Sequence, residues 1–277
     1  MEKALALLQQ TVFSFSMKVC GQRQDAEDTM QDVLVKSIPY LTRFDSPKAL
    51  VVWLYKVAKN RCLMSRRRSK FAPKEELSLD ELMPDRRELE RIGGDGIVNP
   101  ETFAIRSEQA SRLREAIQKL PPQYRIVLVM RDMEGLTDEE VAEITGLREG
   151  TVRVRLHRAR LFVRKEIAEQ ERSRGRHLRP LPSSHSKANA EPRPGHCKAM
   201  FAELSNYLDE QLDDSMCNEL EKHLDSCEPC KVFLSSLQAT IETCRHLPPE
   251  ALDHKRAGKL RSKLIADYER LVAKNIR

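Results

Sequence analysis

The chain is poor in aromatic residues. They make up 5% of its 277 residues, with a single tryptophan. That scarcity argues against one thick core. With 40% hydrophobic and 32% charged residues, the composition suits several small helix-rich units. No apolar run approaches the roughly 18 residues that would mark a membrane span. The N-terminal stretch "MEKALALLQQTVFSFSMK" lacks the basic start, apolar block and small-residue cleavage site of a secretory signal. The expectation is therefore a cytoplasmic protein without a membrane partner, whose seven cysteines are reduced thiols or metal ligands rather than a disulfide framework. Convincing strand alternation and internal repeats are both missing. So is an HExxH or comparable base-bearing site, which leaves a zinc hydrolase without support and no catalytic residue to name.

What is present is helical periodicity, and the fold class expected is all-α. Residues 1–70 read as one helical unit, punctuated by Asp45-Ser46-Pro47, which can cap a helix over about 48 to 66. The polar stretch 71–104, containing "IGGDG" (Ile92 to Gly96), reads as a flexible linker. A second helical unit covers 105–171. Residues 172–195 carry several prolines and few apolar groups, and are expected to be a disordered linker. A third unit, 196–277, begins where cysteines and histidines cluster. The net charge of +6 is modest, so its distribution matters more than its sum. Basic residues crowd Arg61 to Lys70 and Arg148 to Arg179, and acids lead over Asp25 to Asp32 and Glu203 to Asp214.

The segment "LTDEEVAEITGLREGTVRVRLHRARL" has the spacing of a helix-turn-helix. Thr137 and Glu140 fit a capping box, a short helix runs from Asp138 to Ile144, and Gly146 supplies the turn. A second helix starts near Glu149 or Gly150. On it Val152, Leu156, Ala159 and Val163 form an apolar stripe. Arg153, His157, Arg160 and Arg164 repeat the same steps one residue later as a basic stripe, with Arg158 beside it. A helix anchored by one stripe can lay the other in a major groove, where arginine bonds guanine edges or clamps phosphates. A solvated basic helix is the plainer reading. The cap, turn glycine and anchor stripe together favour DNA binding.

Over Leu120 to Arg160, "LPPQYRIVLVMRDMEGLTDEEVAEITGLREGTVRVRLHRAR" resembles region 4 of the extracytoplasmic-function class of bacterial sigma factors, the RNA polymerase subunits that select promoters. "DAEDTMQDVLVKSI" resembles the region 2 helix that binds core polymerase, and "FDSPKALVVWLYKVAKNRCLMSRRR" the segment that reads the −10 element. The resemblance implies two helical domains that bind promoter DNA and core RNA polymerase. Asp25, Asp28, Gln31 and Asp32 would lie on the polymerase-binding helix. Asn60, with Phe44 on the preceding loop, would stand at the pocket for a flipped −10 base, and Lys56, Arg61 and Arg67 would accompany it on DNA. Arg153, Val154, His157, Arg158 and Arg160 would read or clamp the −35 element. Val154 stands where many relatives have a small polar residue, and its methyl groups suit a thymine methyl. Trp53, amid Leu50, Val51, Val52 and Leu54, reads as core, as do Cys20 and Cys62.

"HLDSCEPC" places His223, Cys227 and Cys230 at an H-x3-C-x2-C spacing. Three such ligands leave one tetrahedral zinc position unfilled. Cys197 is the best fourth, because it shares a stripe with Phe201, Leu204 and Leu208; His196 competes for the place. A unit with so few large apolar residues lacks an adequate core, which favours a structural Zn2+ over free thiols. "CKAMFAELSNYLDEQL" followed by "HLDSCEPC" resembles the zinc-binding anti-sigma domain, here fused to the sigma-like chain. That fusion implies regulation in cis, through intramolecular contact with the two DNA-binding units. Residues 253 to 275 form an amphipathic segment suited to such docking. Cys217 and Cys244, outside the ligand set, allow a redox variant of the scheme. The competing readings are a stand-alone helix-turn-helix regulator and an anti-sigma-like redox or metal sensor.

Overall fold

A computed structural model describes residues 2–37, 47–66, 76–84, 107–175 and 195–250 of the chain. Every regular element among them is helical, as the periodicity requires. The chain divides into two compact units, Met1–Lys74 with Leu136–Glu149 and Pro248–Arg277, and Glu75–Gly135 with Gly150–Leu247.

The first unit is built on α1 (Glu2–Cys20), α2 (Arg23–Ser37) and α3 (Pro47–Arg66), which pack on one another. Each contributes residues at helical spacing to one core: Val12, Phe15 and Val19 from α1, Ala26, Met30 and Val33 from α2, and Val52, Tyr55 and Ala58 from α3. The Phe15 and Tyr55 rings stand 4.5 Å apart between centroids. Trp53 is half-buried rather than part of this core. Cys20 and Cys62 are core residues as expected, but they are not separate thiols. The close packing of α1 on α3 brings their Cα atoms to 5.4 Å, and a disulfide joins them.

The same unit holds α7 (Asp138–Thr145). Its capping box is complete. Thr137 Oγ1 accepts from the Glu140 amide at 3.2 Å, and the Glu140 carboxylate accepts from the Thr137 amide at 2.7 Å. Gly146 ends the helix at φ 72°, and its amide donates to the Ala142 carbonyl at 2.8 Å. A Cβ there would meet nothing within 4 Å, so backbone conformation rather than space calls for glycine. From α3, the Lys59 ammonium donates to the Ile144 carbonyl at 2.7 Å, satisfying an orphan acceptor in the last turn of α7. Burial, with Lys56 nearby, holds the pKa of Lys59 below the ordinary lysine range.

The second unit holds α4 (Leu79–Leu82), α5 (Ser107–Lys119), α6 (Pro122–Leu128), a π-helical turn (Val129–Met133), α8 (Glu149–Gly175, all but its first residue), α9 (Gly195–Leu208), α10 (Asp214–Ser226) and α11 (Glu228–Arg245). One apolar cluster unites Leu82, Leu161, Met200, Phe201, Leu204, Leu220, Leu224, Phe233, Leu237 and Ile241.

The C-terminal helices α9, α10 and α11 share this core with Leu161 of α8. Residues 76–84, the described part of the polar stretch before α5, pack on it as well. Leu77, Leu79, Leu82 and Met83 join the cluster, the Leu77 amide donates to the Tyr124 hydroxyl at 3.1 Å, and Lys165 donates to the Glu81 carbonyl at 3.0 Å. The amphipathic segment expected over 253 to 275 lies outside the described residues. None of the helices in the described part is long and apolar enough to cross a membrane.

The capping box yields a local prediction. Thr137→Ala should cost about 1 kcal/mol, and hydrogen exchange at the Glu140 amide should speed up about fivefold. An unchanged exchange rate would show that the cap contributes nothing.

Candidate DNA-reading helix and metal centre

On α8 the apolar stripe is where the sequence puts it, with Val152, Leu156, Ala159 and Val163 all buried. The basic stripe is not open to solvent. His157 and Arg164 are buried, and Arg160 is 1% exposed. Arg153 is half-buried. Arg158 is likewise partly exposed, and Val154 is 50% exposed. The sequence-predicted readers therefore divide into two groups. Arg153, Val154 and Arg158 reach the surface, whereas His157 and Arg160 are covered.

The C-terminal helices do the covering. Arg160 donates from Nε and Nη2 to the Asp132 carboxylate at 2.8 and 2.6 Å. From Nη1 and Nη2 it donates to the Asp209 carboxylate at 2.7 and 2.9 Å. Burial pulls the pKa of this guanidinium down, but the two carboxylates outweigh burial and hold it above the ordinary arginine range. His157 Nδ1 lies 2.8 Å from the Ser205 hydroxyl, and its ring meets Phe201 edge-on at 6.0 Å. Burial, then the charges of Arg160 and Arg158, push the His157 pKa down to about 4. Arg164 donates to the Ser236 hydroxyl at 2.6 Å and stacks its guanidinium 3.9 Å over the Phe233 ring.

Sequence reasoning did not find Asp132, Ser205, Asp209 or Ser236. One signal was there to be read. Asp132 is an acid two residues past the buried run Tyr124 to Met130, a place where a carboxylate needs a cationic partner.

The four predicted metal ligands come together. Cys197 near the start of α9, His223 in the last turn of α10, Cys227 at the junction and Cys230 in the first turn of α11 place their ligand atoms within 4.8 Å of one another. The turn Cys227–Cys230 is closed by the Cys230 amide donating to the Cys227 carbonyl at 3.0 Å. Burial, then the neighbouring Cys227 and Cys197, push the Cys230 thiol up to about 12. Three sulfurs crowded this closely resist ionising together unless a cation compensates them. Four ligand atoms this close together can converge on one tetrahedral ion at arms of about 2.0–2.3 Å. The set fills all four positions, so the chemistry it suits is structural rather than hydrolytic.

The two remaining cysteines, Cys217 and Cys244, lie outside the ligand cluster. Cys244 is fully buried, and burial with Asp132 nearby raises its thiol pKa. The Cys217 thiol is raised by desolvation and by Glu221.

In the first unit Lys56, Asn60 and Arg61 are exposed along α3. Arg61 Nε stands 3.7 Å from the Asp32 carboxylate, which also accepts from Lys36 at 2.8 Å. Asp28 and Gln31 are exposed on α2, and Asp25 is half-buried at its start. Phe44 and Arg67 lie outside the described residues.

Three family models match the chain. Sigma-70 region 2 covers residues 5–71, Sigma-70, region 4 covers residues 110–163, and a putative zinc-finger model covers residues 197–231, beyond both. Among similar proteins, the ECF RNA polymerase sigma factor SigW of Bacillus subtilis (strain 168) is 29% identical over 161 residues, 57% of this chain and 83% of the relative. The RNA polymerase sigma factor YlaC of the same organism is 30% identical over 166 residues, 59% of this chain and 91% of the relative. The ECF RNA polymerase sigma-E factor of Escherichia coli (strain K12) is 31% identical over 144 residues, 49% of this chain and 70% of the relative.

The buried imidazole makes the cover on α8 pH-dependent. His157 is held neutral with a pKa of about 4, below the ordinary value of about 6.5. The covered arrangement therefore has its full stability above pH of about 6.5, and loses up to about 3 kcal/mol as pH falls toward 4. Proton NMR of the His157 ring in the full chain should give a midpoint near the lower value. A midpoint near 6.5 would show that the ring is not enclosed.

Proposed function

Because the chain belongs to the extracytoplasmic-function RNA polymerase sigma factors, we propose that its two DNA-binding regions read a promoter under the control of its own C-terminal module. As a sigma factor it binds core RNA polymerase, directs it to promoters and starts transcription, and it is not itself an enzyme. In the finer reading, α2 presents Asp25, Asp28, Gln31 and Asp32 to the polymerase. Lys56, Asn60 and Arg61 on α3, with Phe44 and Arg67, engage the separated −10 strand. Helix α8 enters the major groove at the −35 element, with Arg153, Val154, His157, Arg158 and Arg160 as readers and clamps. The chain works in the cytoplasm, where polymerase and promoter are.

The observation that carries regulation in cis is the cover on α8. His157, Arg160 and Arg164 of the groove-facing stripe are engaged by Ser205, Asp209 and Ser236 of the C-terminal helices. A helix in that arrangement cannot offer those three side chains to DNA. The C-terminal module therefore competes with the −35 element for one face of α8. Being part of the same chain, it does so at a high effective concentration.

The Cys197, His223, Cys227 and Cys230 set holds a structural Zn2+ that ties α9 to α10 and α11. Because α9 carries both a ligand and the groups that meet α8, the ion stabilises the helix that does the covering.

Two outcomes are expected. Elemental analysis of the purified chain should give one zinc per chain, lost in Cys230→Ser; metal retained in that variant would rule out the ligand set. With core polymerase, a chain ending at Gly195 should give several-fold more transcript from a cognate promoter than the full chain. Equal yields would rule out restraint by the module.

A further inference from the structure

Arg160 has two hydrogen-bonding edges, and each has a different owner. Its Nε–Nη2 edge is held by Asp132, within the same sigma region. Its Nη1–Nη2 edge is held by Asp209, which is 49 residues further on and belongs to the C-terminal module. The Asp132 pair already neutralises the guanidinium. Asp209 brings a second carboxylate, itself 6% exposed, so the enclosed node carries one surplus negative charge. A pair needed only for structure would be complete without it. What the second carboxylate supplies is an anion with two oxygens against a planar N–H fork, on the stripe that faces a groove. A DNA phosphodiester presents the same shape and charge.

We propose that Asp209 is a stand-in for a promoter backbone phosphate: it fills, in cis, the anion site on the outer edge of Arg160 that DNA fills when α8 enters the groove. The inference rests on the reading of α8 as a groove helix restrained by the module, and it names the residue on which the restraint turns. Asp132 fixes the guanidinium plane, so the outer edge is preset for whichever anion arrives. Local backbone geometry sets the carboxylate just as firmly. Asp209 follows the last residue of α9, its amide donates to the Ser205 carbonyl at 3.0 Å, and the chain turns away at Glu210 with φ 55°. One turn earlier on α9, Ser205 meets His157, nearly one turn earlier on α8. The two contacts fix the register of α9 on α8. Asp209 is the one of the two that carries charge.

The test uses the full chain and a mixed-sequence DNA duplex, because a phosphate contact carries no sequence information. Asp209→Ala and the near-isosteric Asp209→Asn are compared with wild type and with Asp225→Asn, which removes the same charge from an exposed position on α10. Both Asp209 variants should bind the duplex about fivefold tighter or more at fixed salt, against less than about twofold for Asp225→Asn. Their log affinity should fall more steeply with log salt, by about 0.9 for the added phosphate. His157 should become open to carbethoxylation while zinc content stays at the wild-type level. If Asp209→Ala misfolds, Asp209→Asn decides. Asp209 variants that match Asp225→Asn, with His157 still shielded, overturn the phosphate stand-in. The Gly195 truncation reads the restraint separately, so one claim can fail while the other stands.

Discussion

A single guanidinium shared by two carboxylates organises the second unit. Arg160, Asp132 and Asp209 are nearly inaccessible to solvent. Their mutual attraction must offset the cost of taking three charges out of water. Such a node contributes less to net stability than its short distances suggest. The attraction that keeps the helices together comes from the apolar cluster of Leu161, Phe201, Leu204, Phe233 and Leu237. What the node adds is register and selectivity. Leaving either acid without its arginine, or the arginine without its acids, strands a charge in a place that water does not reach.

Helix α9 links this node to the metal site by simple periodicity. Cys197, Phe201 and Ser205 follow one another at steps of four along one side of the helix, and Asp209 continues the row in the turn just past its end, its amide still bonded to the Ser205 carbonyl. The first belongs to the ligand cluster, the second packs in the core and faces His157, the third bonds His157, and the fourth bonds Arg160. Anything that shifts α9 along its axis moves all four together. The same helix thus connects a site suited to a structural ion with the covered face of a DNA-reading helix, with no loop between them.

Much of this was legible in the sequence. Helical periodicity, the Thr137–Glu140 box, the Gly146 turn and the two stripes of α8 follow from local rules, and local rules decide local structure. The ligand set was legible for the same reason, since His223, Cys227 and Cys230 lie within eight residues and Cys197 sits on a helical stripe. The cover on α8 was not legible as geometry. An arginine on an amphipathic helix looks the same whether it faces water, DNA or an aspartate 49 positions away. Asp209 belongs to an acidic stretch that reads as a solvated surface, and only the tertiary arrangement singles it out. The Cys20–Cys62 bond was missed on a compartment argument, which speaks to the usual state of thiols and not to how closely α1 and α3 bring two of them.

The central claim is that the C-terminal helices sit on the groove face of α8 in the free chain and leave it in the transcribing one. The most direct measurement is a distance between spin labels at the exposed positions Glu169 on α8 and Ser235 on α11, taken first in the free chain and then in a promoter-open complex with core polymerase. The account predicts one short, narrow distribution in the free chain, and a longer, broader one once the promoter is open. The short distribution persisting unchanged in a complex that makes transcript would contradict it.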